Sequence, residues 1–162
     1  MRLKKNNSDK NKVIKYALWL LGQRQYSEKR LAEKLQRQEA TKDEIRRVVS
    51  HLKQLGFVDD LKLAKNIVES WQNIRLCGRR KIYWQLIKKG ISKETAERAI
   101  NESYSQEAEL PAIRTLIDKY ACGLPPKKLY RRLVSRLVAS GYDLSLVKKE
   151  VMNFIRKEYS QK

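Results

Sequence analysis

Proline and glycine are scarce in this chain, three and six among 162 residues. Together with the chain's helical periodicity, that scarcity argues for a mostly α protein. Cysteine is scarcer still. Cys77 and Cys122 are too few for a disulfide framework and have no CxxC or histidine-rich company that would hold a metal. They read as ordinary thiols in connectors, each just before a glycine. No apolar run is long enough to span a bilayer. The opening Met1-Arg2-Leu3-Lys4-Lys5 is basic but leads into no hydrophobic stretch or cleavage site, so a signal peptide is not expected. The expectation is a cytoplasmic protein without membrane contact.

Acid is also in short supply. Aspartate and glutamate total 18 against 37 lysines and arginines, a formal net charge of +19. Such a field favours polyanions and accelerates encounter with them. Nucleic acid is the first candidate partner and an acidic protein surface the second. No GxxxxGK[ST] loop, HExxH, GxSxG or metal-spaced Cys/His set occurs, so no catalytic residue, cofactor site or metal site is assigned. His51 is a lone histidine on the polar side of a helix and reads as a surface residue. Asp59 and Asp60 adjoin a helix start, where capping and the helix dipole explain paired acids better than acid–base chemistry does.

What the chain has in abundance is helical periodicity, and the pattern repeats. The stretch Leu86-Ile87-Lys88-Lys89-Gly90-Ile91-Ser92-Lys93-Glu94 reads as one helix end, a tight turn and a capped helix start. Gly90 suits the left-handed residue that closes a helix, and Ser92 suits the cap of the next. Thr41 and Asp143, both good N-cap residues, stand roughly 51 residues before and after Ser92, which suggests a fixed-period repeat. Leu31 and Leu35 then align with Ile82 and Leu86, and with Leu133 and Leu137. Ile45 and Val49 align with Ala96 and Ile100, and with Val147 and Val151.

The expected architecture is therefore all-α, a tandem and elongated array of three three-helix repeats, able to curve. The boundaries are a basic flexible lead at 1–10, a first repeat at 11–56 and a second at 57–102. An acidic polar junction follows at 103–109, then a third repeat at 110–155 and a basic, fraying tail at 156–162. In the first helix, Val13, Ile14, Ala17, Leu18 and Leu21 form the expected inward stripe. The fourth is expected to bury Leu63, Ala64, Ile67, Val68 and Trp71. Connectors are expected at 23–26, 72–78 and 119–126.

The middle helices of the second and third repeats share an apolar stripe inward and Arg and Lys outward. The candidate binding residues are Arg79, Arg80, Lys81, Trp84, Lys88 and Lys89 on one, and Lys127, Lys128, Arg131, Arg132 and Arg136 on the other. Stacked helical repeats present equivalent faces along one surface, and such faces can follow a phosphate backbone. Trp84 reads either as a packing contact with an adjacent repeat or as a platform for an unpaired base or a protein contact.

At Leu55-Gly56-Phe57-Val58-Asp59-Asp60, with Ala64 following, the chain resembles the RecX family of bacterial recombination regulators. Further matches are Gly78-Arg79-Arg80-Lys81-Ile82, Gln85-Leu86 and Lys89-Gly90-Ile91. The resemblance covers about residues 13 to 155 and is most specific in the second repeat. It implies a non-enzymatic protein that binds RecA in the groove of its DNA filament and restrains filament growth, ATP hydrolysis and strand exchange; a monomer is expected. It also implies contacts to single- and double-stranded DNA. The family supplies no catalytic motif, so the candidate residues above rest on charge alone. One departure is Glu39, which stands where the other repeats have Gly90 and Gly141. The competing reading is a stand-alone helical DNA-binding protein, transcriptional or architectural, acting without RecA. A nuclease would need a clustered acid or histidine site that cannot be assembled.

Overall fold

A computed structural model describes residues 7–121 and 123–159, and in helix α1 the side chains from residue 12 onward. Cys122 and the ends of the expected lead and tail lie outside the described residues. Among those described, nine helices and no strands follow one another: α1 (Asn7–Gln23), α2 (Glu28–Gln36), α3 (Lys42–Gln54), α4 (Asp60–Asn73), α5 (Arg79–Lys88), α6 (Lys93–Ser103), α7 (Glu109–Tyr120), α8 (Pro126–Ala139) and α9 (Leu144–Tyr159). The fold is all-α, an array of helices.

Helix boundaries follow local chemistry. Thr41 closes a full capping box: its Oγ1 accepts from the Glu44 N–H at 3.3 Å, and the Glu44 carboxylate accepts from the Thr41 N–H at 2.9 Å. This arrangement satisfies two of the donors that a helix start leaves without partners. Ser92 accepts from the Thr95 N–H at 3.2 Å. Asp143 accepts from Ser145 and Leu146 at 2.8 and 3.0 Å. All three caps form as the sequence pattern leads one to expect. The turns before them use left-handed backbone, with φ of +85° at Gly90, +94° at Gly141 and +59° at Glu39. Glutamate thus occupies a conformation that its Cβ resists.

Several boundaries differ from expectation. Helix α1 begins at Asn7, ahead of Asn11, and α9 runs to Tyr159. Helices α4 and α7 continue to Asn73 and Tyr120, because the residues that follow their apolar stripes contain neither proline nor glycine to stop them.

The chain divides into two compact units. The first comprises Met1–Ala64 with Leu86–Arg98, the second Lys65–Gln85 with Ala99–Lys162. The division falls inside α4, α5 and α6, so each of these helices contributes to both.

The first unit is built around Ala17, Leu20, Leu31, Leu35, Ile45, Val49, Leu52 and Val58. Leu31 and Leu35 of α2 are fully buried, and each such leucine contributes roughly 1.5–3 kcal/mol through burial. Helix α1 is rotated from its expected setting: Leu20 is buried and Leu18 exposed. With Leu18, Trp19, Leu20 and Leu21 in succession, apolar spacing alone leaves the inward face ambiguous. Trp19 is exposed and stacks on Tyr16 with ring centroids 5.8 Å apart.

The second unit buries Ile113, Ile117, Leu133, Leu137, Val147 and Val151 from α7, α8 and α9. Further from that core, α4 turns Val68 inward but leaves Trp71 half-buried beneath the Arg75 guanidinium, 4.5 Å from its ring centroid. The buried Gln72 donates to the Ser105 carbonyl at 2.5 Å and accepts from the Ser105 N–H at 3.0 Å. One amide side chain thereby supplies a donor and an acceptor to the irregular segment between α6 and α7, where regular structure provides neither.

Candidate polyanion-binding surface

The same kind of helix junction forms in each compact unit. In the first, the last turn of α5 meets the first turn of α2. The Ser27 hydroxyl donates to the Lys89 carbonyl at 2.6 Å, and Arg30 Nη2 donates to the Lys88 carbonyl at 2.7 Å. In the second, the last turn of α8 meets the first turn of α5. Gly78 N–H donates to the Ser140 carbonyl at 2.8 Å, Arg80 N–H to the Gly141 carbonyl at 3.3 Å, and Arg80 Nη2 to the Val138 carbonyl at 3.4 Å. Carbonyls left open at one helix end are thus met at another helix start, by side-chain donors in the first junction and mainly by backbone N–H groups in the second. Ser27 corresponds to Gly78 and Lys89 to Ser140 in the repeat register, so the junction itself repeats.

Asp60 is part of the first junction. Its carboxylate accepts from the Glu28 N–H at 2.8 Å and so caps α2, while Asp59 caps α4 by accepting from the Lys62 N–H at 2.9 Å. The two adjacent acids therefore do capping work, as expected, but on two different helices. Burial is the largest influence on the Asp60 carboxyl and raises its pKa.

In the second unit the start of α5 is further held by Tyr104. Its hydroxyl accepts from the Arg79 N–H at 3.2 Å and donates to Glu109 at 2.7 Å. Burial first, and that bond to Glu109 next, push the phenol well above its ordinary range. Cys77, just before Gly78, is buried and free, and burial raises its thiol as well. It is thereby kept in the less reactive protonated form. His51 is exposed on α3.

The candidate cations divide between the units. Arg79, Arg80, Lys81 and Trp84 fall in the second with all five of α8, whereas Lys88 and Lys89 fall in the first. Lys127, Lys128, Arg131, Arg132 and Arg136 are all exposed, and α8 contains no acid. The Arg136 guanidinium lies 4.6 Å from the centroid of the Tyr120 ring, a contact that orients the charge without neutralising it. On α5 the charge is partly committed elsewhere. Arg79 donates to the Asn101 side chain at 2.5 Å, Arg80 is bound to Val138 as above, and Lys81 is half-buried. Trp84 is 62 % exposed, with its ring set edge-on to Tyr83 at 5.4 Å between centroids. More than half of its surface is thus exposed.

Cations in a first helical turn oppose the helix dipole, which favours acids there. Helices α5 and α8 have no acid in the first turn and instead place Arg79, Arg80 and Lys81, or Lys127 and Lys128, at that end. Local stability alone would select the opposite charge. Positions that break a local rule in this way are where binding demands are expected.

Two family models match, one described as RecX, first three-helix domain, over residues 14–52, and one as RecX, second three-helix domain, over residues 59–100. The regulatory protein RecX of Clostridioides difficile is 32 % identical over 144 residues, covering 85 % of this chain and 67 % of that protein. This chain belongs to the RecX family. The regulatory protein RecX of Caldanaerobacter subterraneus is 31 % identical over 137 residues, 83 % of this chain and 66 % of its own length. The RecX proteins of Prosthecochloris aestuarii and Streptococcus pyogenes are matched over smaller shares of their length, 64 % and 54 %. The chain therefore spans about two thirds or less of the length of these four curated relatives. The crystal structure of RecX from Lactobacillus salivarius superposes with a TM-score of 0.82 at 22 % identity, covering 93 % of this chain and 98 % of that one. That likeness establishes the RecX fold. The family is one of regulatory proteins.

Sequence reasoning found the cationic helices from their one-sided composition. It missed the distant partners of Ser27, Arg30, Gln72 and Tyr104. The only advance signal was that Ser27 sits at a helix start.

Proposed function

We propose that this RecX-family chain is a non-enzymatic regulator of RecA. It binds the RecA–DNA filament and inhibits filament extension, ATP hydrolysis and strand exchange, acting as a cytoplasmic monomer in DNA repair and recombination. The DNA contacts run through α8, with Lys127, Lys128, Arg131, Arg132 and Arg136, and through α5, with Arg79, Arg80, Lys81, Lys88 and Lys89. Trp84 offers an exposed ring for an unpaired base of single-stranded DNA. Division into three repeats, at 11–56, 57–102 and 110–155, belongs to the same reading. It is supported by the equivalent caps at Thr41, Ser92 and Asp143.

The observation that carries the proposal is the acid-free, five-cation exposed face of α8, with two cations placed against the helix dipole. Each phosphate neutralised there releases counterions, so binding weakens as salt rises. The test is RecA ATP hydrolysis on single-stranded DNA, titrated with this protein at two salt concentrations. Inhibition well below one molecule per RecA is expected for a regulator acting at filament ends. Inhibition only near equal stoichiometry would place it along the groove or in competition for DNA.

The same cationic face would also serve a stand-alone DNA-binding protein. Tight, salt-sensitive DNA binding with no effect on RecA would establish that second reading and overturn the first.

A further inference from the structure

Within the first compact unit, α2, α3 and the segment joining α5 to α6 enclose an open groove of about 950 Å³. It is large enough for several side chains. Apolar groups contribute to its wall, notably the half-buried Ala32 and Ile87 with Ile45, Val49 and Ile91 behind them. Both signs of charge stand at its edge, but they are not equally available.

Each acid on the groove is already engaged. Glu28 pairs with Lys53 at 2.8 Å, Glu33 pairs with Arg30 at 2.7 Å, and Asp60 accepts from the Glu28 N–H. Lys29, Lys42, Arg46 and Lys93 also line the groove, and among the described residues none of the four has an ion-pair partner. The opening therefore offers positive charge around an apolar wall.

We infer that this groove docks an acidic amphipathic helix of a partner protein. Apolar side chains of such a helix, spaced three and four residues apart, enter against Ala32 and Ile87, and its acids meet Lys29, Lys42, Arg46 and Lys93. A phosphate backbone would answer the charge but leave the apolar wall without a partner, which is why a peptide is favoured over nucleic acid. This inference stands apart from the α8 reading, since it uses neither that helix nor DNA.

The test is fluorescence anisotropy with a fluorescein-labelled synthetic peptide about four helical turns long, leucine on one face and glutamate on the other. Polyglutamate of equal length and an oligothymidylate serve as comparison probes. The Leu/Glu peptide is expected to bind at least about tenfold more tightly than polyglutamate. The double variant Arg46→Glu/Lys93→Glu removes charge, whereas Ser50→Trp fills the groove from an exposed position and keeps every charge. Each is expected to weaken peptide binding about tenfold, while Lys127→Glu/Lys128→Glu leaves it unchanged; circular dichroism confirms retained helicity. Equal binding of peptide and polyglutamate, or no effect of Ser50→Trp, would overturn the inference in favour of diffuse electrostatic attraction. Loss of oligothymidylate binding in the groove variants, without binding of the peptide, would overturn it in favour of a nucleic-acid surface.

Discussion

Gly78 and Gly141 stand backbone to backbone: a Cβ built on Gly78 falls 2.5 Å from the Gly141 carbonyl oxygen and 2.6 Å from Tyr142 N. Built on Gly141, it falls 2.5 Å from Lys81 Cβ and 2.9 Å from the Gly78 carbonyl oxygen. The obstacles include backbone atoms, which cannot swing aside as a side chain can. Gly78→Ala is therefore expected to destabilise the protein by about 2–3 kcal/mol through overpacking. Gly22→Ala is the contrast, since nothing lies within 4 Å of its Cβ and it sits within helix α1. Alanine there should stabilise by about 0.5–1 kcal/mol. Denaturant midpoints of the two variants should move in opposite directions.

Glu39 is the counterpart test. It holds φ of +59° in a turn where the other repeats use glycine. Glu39→Gly removes a strain of roughly 1–2 kcal/mol but gives the unfolded chain more freedom. A net gain of about 0.5–1 kcal/mol in urea unfolding is the expected result. A loss would mean that the glutamate side chain stabilises the turn more than its backbone strains it.

Charge reversal at the start of α8 should separate folding from binding. Lys127→Glu and Lys128→Glu each place an acid where the helix dipole favours one, worth about 0.3–1 kcal/mol at an exposed site. Thermal stability is expected to rise slightly while DNA affinity falls, with the salt dependence of binding reduced by about one counterion per lost contact. Unchanged inhibition of RecA in the double variant would remove α8 from the proposed interface.

The Tyr104 phenol has its proton held in the folded state, by burial and by donation to Glu109. The unfolded chain releases that proton near the ordinary tyrosine value of about 10. Stability from this group is therefore complete below that pH and declines as pH rises beyond it toward the higher folded value. Tyr104→Phe should cost about 1–2 kcal/mol at neutral pH through loss of the hydrogen bonds to the Arg79 N–H and Glu109, and it should flatten the alkaline loss. Tyr142, also raised by burial, leaves part of that slope in place. Denaturant titrations from pH 8 to 11 check both points.

Features set within a few residues were legible in advance. The caps at Thr41, Ser92 and Asp143 and the closing turns at Gly90 and Gly141 are local, so spacing and residue type reveal them. The buried Leu31, Leu35, Ile82 and Leu86 follow from a 3.6-residue period. Illegible features depend on what lies opposite. Leu18 and Leu20 are indistinguishable until a neighbouring core selects one of them. That Gly78 needs to be glycine is apparent only from Gly141, far along the chain. Likewise the basic helices stood out in composition, but the side-chain bonds of Arg79 and Arg80 to Asn101 and Val138 did not. RecX membership was legible in Leu55–Asp60 and Gly78–Ile82, whereas nothing in the sequence marked the groove beside α2 and α3.

The partition of α5 also bears on how such an array can be shortened or lengthened. Arg79–Gln85 complete one compact unit and Leu86–Lys88 the other, with no interruption of the helix. A cut between residues 52 and 59 therefore splits the first unit, parting Leu86–Arg98 from most of Met1–Ala64, while every segment of the second unit stays in the longer piece. Loss or gain of a repeat would have to preserve a helix carrying both a start that receives one neighbour and an end that enters another. The smallest interchangeable cassette is thus the stretch from one junction to the next, out of phase with the three-helix repeat.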